Sequence, residues 1–111
     1  MSTENHTDRV FKALSAGTRR AILDVLRDDP QTTGALCARF AKLDRCTVMQ
    51  HLKVLEDADL VIVQRQGRER WNHINPLPIK DIHDRWIGPH AAGAVDMLHR
   101  LKTDLEAGQA S

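Results

Sequence analysis

The chain has 111 residues, 41% of them hydrophobic, and a formal net charge of +1. That length can bury one modest core, which dimerisation often completes. No apolar run approaches a membrane span and no signal peptide is visible, so the chain is expected to be cytoplasmic and to have no membrane partner.

Residues 1–7 and 107–111 are expected to be flexible ends around one domain spanning 8–106. Asp8 can cap a first helix carrying Val10, Phe11 and Leu14, which Ser15, Ala16 and Gly17 break. Thr18 then opens a second helix with Ala21, Ile22, Val25 and Leu26 as its apolar stripe, and Asp28, Asp29 and Pro30 stop it. Thr32 or Thr33 opens a short third helix through Leu36, Cys37 and Phe40. Leu43 and Asp44 turn the chain into a fourth.

The fourth helix has two edges. At about 100° per residue, Val48, Leu52 and Leu55 form one buried stripe. Cys46, Met49, Gln50 and Lys53 point the other way, Thr47, His51 and Val54 flank the stripe, and Arg45 sits at the start. Gln pairs with adenine edges, Arg with guanine, and Met touches the thymine methyl. A solvated surface helix would also be amphipathic, but an outward Met on a polar face usually has something to touch. The candidate DNA-contacting residues here are Arg45, Thr47, Met49, Gln50, His51 and Lys53.

A hairpin follows. Val61, Ile62 and Val63 are β-branched and predict a strand, and Gln66 and Gly67 supply the turn. Arg65, Arg68 and Arg70 crowd this hairpin, opposed only by Glu69. Like charges repel, so their concentration points to an anionic partner, with phosphate the obvious candidate. Charges also blunt exposed strands against aggregation. A groove-sized helix followed directly by a cationic hairpin favours DNA.

The tail is helical from Ile79 to about Leu105, interrupted at Gly88 and Pro89. Ile79, Ile82, Trp86 and Ile87, then Ala91, Ala94, Val95, Leu98, Leu101 and Leu105, form stripes with little left in one chain to bury them. The expected fold class is mainly α with a small β-hairpin, a winged helix-turn-helix with a C-terminal dimerisation helix. The expected dimer contacts are Phe11, Trp86, Val95, Leu98 and Leu101.

Residues 14–23 read Leu-Ser-Ala-Gly-Thr-Arg-Arg-Ala-Ile-Leu, residues 47–56 read Thr-Val-Met-Gln-His-Leu-Lys-Val-Leu-Glu, and Leu60, Val61 and Arg65 to Arg68 follow. Over roughly residues 8 to 75 this set resembles the ArsR family of bacterial winged-helix repressors. Met49, the segment Asn75 to Pro78, and Arg85 with Trp86 resemble the branch often encoded beside SRPBCC-domain proteins. The resemblance implies a homodimer that binds an imperfect palindrome at a promoter and represses it. Two positions depart from the usual pattern: Ala16 and Gly17 replace an Asp-Pro pair, and Asp59 replaces a glycine that follows the reading helix. Asp tolerates the left-handed conformation better than most residues, so a small stability cost is expected and not a different fold.

Other functions find less support in the sequence. No Gly-rich phosphate loop, Gly-x-Ser-x-Gly elbow or carboxylate pair points to an enzyme. No cofactor is expected. Many relatives sense metals, but Cys37 stands alone, and Asp81 and His83 supply half of a site that neither His90 nor His99 completes. Cys37 and Cys46 leave a thiol switch open as an alternative to a metal-responsive repressor. A protein-interaction module is the remaining alternative, one that would not need the hairpin arginines. The low net charge predicts modest non-specific DNA affinity.

Overall fold

The computed structural model describes residues 5–88 and 92–109. Helix α1 spans His6–Leu14 and is capped by Asn5, whose Oδ1 accepts from the Asp8 amide at 2.9 Å. The cap therefore lies three residues ahead of Asp8, which sits in the first turn, where its charge suits the helix dipole. Asn5 thus caps the helix, and residues 6 and 7 lie within its first turn. Val10 and Ala13 face inward, whereas Phe11 is exposed.

Helix α2 runs from Gly17 to Asp28. Its N-cap is Ala16 and not Thr18, and no side chain caps it. Ile22, Leu23 and Leu26 are buried, with Ala21 and Val25 at the margins. The α1–α2 junction is held from the other side. Arg19 Nε and Nη2 donate to the carbonyls of Ala13 and Lys12 at 2.8 and 3.0 Å, and Arg20 Nη1 donates to that of Leu14 at 2.6 Å. The last carbonyls of α1, which a helix end leaves without partners, are satisfied by two guanidinium groups.

After Pro30 comes a two-residue strand, β1 (Gln31–Thr32), which has no period for sequence reasoning to find. Thr32 caps α3 (Thr33–Arg39) through its hydroxyl, which accepts from the Ala35 amide at 3.1 Å. Asp44 caps α4 (Arg45–Asp57), with Oδ1 accepting from Thr47 N at 2.7 Å. That backbone hydrogen bond, with help from the Thr47 side chain, holds the Asp44 carboxyl below its usual range. Val48, Leu52 and Leu55 are buried, as the angular pattern predicts.

Helix α4 ends in a Schellman motif. Leu60 N donates to Leu55 O and Asp59 N to Glu56 O, both at 2.9 Å, and Leu55 and Leu60 are both fully buried. This geometry forces Asp59 to a φ of +60°. Asp59→Gly is expected to raise stability by a few tenths to about 1 kcal/mol, the relief of strain being partly offset by glycine's larger entropy loss. Chemical denaturation checks this; a lower midpoint at unchanged m-value would show that Asp59 contributes more than it strains.

Strands β2 (Val61–Gln66) and β3 (Glu69–Ile74) form an antiparallel hairpin in register from Val61 opposite Ile74 to Gln66 opposite Glu69. Gly67 takes φ +63° at the first turn position, a conformation that costs a side-chain-bearing residue strain. β3 lies between β2 and β1. Asn72, 1% exposed at the centre of β3, donates through Nδ2 to Gln31 O and to the Thr33 hydroxyl, both at 3.1 Å. A buried amide without such partners would be costly.

The chain divides into two compact units, Met1–Ile79 and Lys80–Ser111. The core of the first gathers Val10, Ile22, Leu26, Leu36, Val48, Leu55, Leu60 and Val61. Each such side chain contributes about 1.5–3 kcal/mol by leaving water. Helix α5 is Leu77–Trp86, two residues longer at its start than expected, because a proline in the first helical turn has no amide to satisfy. Within the second unit, Lys80 Nζ donates to Asp84 at 2.7 Å and Arg85 lies over the exposed Trp86 ring at 5.4 Å. Gly88 adopts φ +70°, and α6 (Ala92–Gln109) follows as a separate helix that extends past residue 106. Pro89, His90 and Ala91 lie outside the described residues. α6 exposes Met97, Leu98, Leu101 and Leu105, with Val95 half-buried.

Candidate nucleic-acid interface

Helices α3 and α4 with the turn at 40–44 make a helix-turn-helix, and the hairpin β2–β3 is its wing. Capping by Asp44 fixes where α4 begins, and the buried stripe fixes its rotation. The opposite edge is then set: Arg45, Cys46, Met49, Gln50 and Lys53 are all exposed, with Thr47 and His51 half-buried on the flank. Met49, Gln50 and Lys53 line an open groove with Glu56 and Arg70. A second hollow brings Arg45 and Met49 together with Arg68 and Glu69 of the wing. The polar edge of α4 and the wing are therefore exposed on one surface.

The cations are not equivalent. Arg45, Lys53, Arg65 and Arg68 have no hydrogen-bond or ion-pair partner among the described residues. Arg70 lies differently from its two hairpin neighbours. It turns toward α4, where Nη2 meets Glu56 Oε2 at 3.4 Å, and its Nε is buried without a partner. Arg65 and Arg70 are opposite each other in the ladder and so share one face of the hairpin, but only Arg70 reaches Glu56, whereas Arg68 sits in the turn. Period-two alternation was legible in the sequence, but which strand face meets α4 was not.

His51 is also more constrained than its flank position suggests. Its Nδ1 lies 3.1 Å from Arg19 Nη1. Burial, and then the charge of Arg19, hold its pKa below the ordinary histidine value. Sequence reasoning missed Arg19 and Asn72 because their partners lie 32 and 41 positions away in the chain.

For other chemistry, Cys37 is half-buried and Cys46 exposed, and both are free thiols. Among the described residues no three His, Cys, Asp or Glu side chains converge as a metal site. His83 lies against Asp84, its Nδ1 at 3.3 Å from Oδ1. No described helix is long and apolar enough to cross a membrane.

Comparison with known proteins agrees with this architecture. A helix-turn-helix domain family matches residues 14–64. The HTH-type transcriptional regulator Rv2034 of Mycobacterium tuberculosis is 43% identical over 76 residues, covering 68% of this chain and 70% of the relative. The arsenical resistance operon repressor of Staphylococcus aureus is 31% identical over 77 residues, covering 66% and 69%. The solved structure of an ArsR-like transcriptional regulator from Rhodococcus sp. RHA1 superimposes with a TM-score of 0.68 at 26% identity, covering 92% of each chain. With its helix-turn-helix, wing and flanking helices, the chain belongs to the ArsR family of winged helix-turn-helix transcriptional regulators.

Proposed function

We propose that the chain is a dimeric repressor that binds a palindromic promoter site in the cytoplasm, acting by binding and not by catalysis. The observation that carries this reading is one exposed surface on which the polar edge of α4 meets uncompensated cations of α4 and of the wing. Helix α4 enters the major groove. Arg45, Thr47, Met49, Gln50, His51 and Lys53 are its contact set, with Gln50 at the centre. Arg65 and Arg68 meet the phosphate backbone, and Arg70 holds the wing against α4 through Glu56.

The dimer is built from α1 and the tail helices, with Phe11, Trp86, Val95, Leu98 and Leu101 in the seam. Two-fold symmetry then places two reading helices about one DNA turn apart, roughly 34 Å, which requires a palindromic site.

The wing acts by charge. Gly67 makes its tip a poor platform for a fixed bidentate contact but an adequate one for phosphate. Arg68→Ala is expected to weaken operator and random duplex alike, and to reduce the slope of log affinity against log salt by about one per lost phosphate contact in each subunit. A salt titration of both proteins on both DNAs tests this. An unchanged slope, or a loss confined to the operator, would contradict a phosphate contact.

A further inference from the structure

All three nitrogens of Arg19 are engaged, and only two of them cap α1. Arg20 shows what capping alone requires, one guanidinium nitrogen on one carbonyl. Arg19 does this twice and then reaches across to α4, placing Nη1 at 3.1 Å from His51 Nδ1. Guanidinium groups donate and never accept. Nδ1 is therefore the acceptor, unprotonated, and the ring's single proton is on Nε2. Nε2 is not among the buried unpaired polar atoms and has no partner among the described residues, so it is open to solvent.

We propose that Arg19 is a positioning residue for DNA recognition: by occupying Nδ1 it makes His51 a one-way hydrogen-bond donor, which offers Nε2–H to an acceptor on duplex DNA. This rests on the reading that α4 enters the major groove. The acceptor is an oxygen or ring nitrogen on a base edge, or a phosphate oxygen; a donor with fixed sense cannot satisfy the amino groups of adenine or cytosine. The geometry also ties the recognition helix to the end of α1, since one guanidinium plane touches both. Without Arg19 the imidazole would exchange its proton between two nitrogens and rotate freely, and the donor would be present only part of the time.

The test has two arms on the full chain. In the first, ¹⁵N chemical shifts of the His51 ring are read without DNA at neutral pH. The wild type is expected to show Nε2 protonated and Nδ1 bare, and Arg19→Met to show a mixture of tautomers and a ring that titrates at higher pH. In the second, affinity is measured on operator and random duplex. His51→Ala is expected to lose about 5- to 10-fold per half-site, the worth of one neutral hydrogen bond. The salt slope should stay unchanged, because no charge is removed. His51→Gln, whose Nε2 also donates, should recover most of the loss. The Arg19→Met/His51→Ala double variant should bind no worse than the weaker of the two single variants. Should Arg19→Met fail to fold, the wild-type ring tautomer and the His51 variants decide the matter by themselves.

A loss confined to the operator identifies a base edge as the acceptor, and equal losses on both DNAs identify a phosphate oxygen. Protonation at Nδ1 in the wild type overturns the inference. So does wild-type binding by His51→Ala while Gln50→Ala still loses operator affinity, an outcome that leaves the groove reading intact. If neither variant changes binding, both readings fall.

Discussion

Replacing Gln50 with alanine is expected to weaken operator binding by about 1–3 kcal/mol per half-site, a factor of roughly 5 to 150 for each subunit, with a much smaller loss on random duplex. Gln50 is exposed midway along the polar edge of α4 and has no partner among the described residues. Its amide carries a donor and an acceptor side by side, which matches the N6 and N7 edge of adenine. Truncation leaves that edge unpaired in the complex. Because the side chain is at the surface, the folding midpoint should barely move, with changes within about 0.5 kcal/mol. Titrating both proteins against operator and random DNA at one salt concentration decides the matter. Equal losses on the two DNAs would show that Gln50 does not read bases.

The second large effect concerns assembly. Leu98 and Leu101 are 62% and 51% exposed on α6, one turn apart, and Trp86 on α5 is 61% exposed. Exposed side chains of this size in a short chain point to a protein surface that covers them. In the proposed two-fold seam, Leu98→Asp with Leu101→Asp would appear twice. Lost burial alone is about 1.5–3 kcal/mol per leucine, and each buried carboxylate adds more. The dimer should weaken by more than about 100-fold and operator affinity should fall with it. Ending the chain after Pro78 should leave a monomer or insoluble protein. Sedimentation and light scattering read both variants. A dimer that survives the two aspartates, or a soluble, folded and dimeric truncation, would put the seam elsewhere.

The helices were legible in the sequence wherever a period repeats. The Val48, Leu52 and Leu55 stripe gave the rotation of α4, and with it the exposed edge. The special backbone position at Asp59 was also legible, because glycine's usual place was occupied by one of the few residues that tolerate it. What stayed hidden has a common cause. Asn5, and not Asp8, caps α1, and Ala16 precedes α2 without any side-chain cap, because Arg19 and Arg20 already hold that junction from the far side. β1 is too short to show alternation and exists because β3 is there to pair with it. The inward turn of Arg70 needs Glu56, and the fixed ring of His51 needs Arg19. Apart from the Asn5 cap, which is local, these are contacts between segments, and local patterns do not encode them.

Asn72 has a consequence for how the wing opens. One buried amide joins the middle of β3 to the strand before α3 and to the first residue of α3 itself. The base of the hairpin therefore belongs to the same cooperative unit as the helix-turn-helix, and its amides can exchange with solvent only when that whole unit opens. The turn at Gly67 and Arg68 has no such tether and exchanges by local fluctuation alone. The boundary between slow and fast exchange is expected inside the wing, so that on DNA a two-residue tip flexes while the arm stays in place.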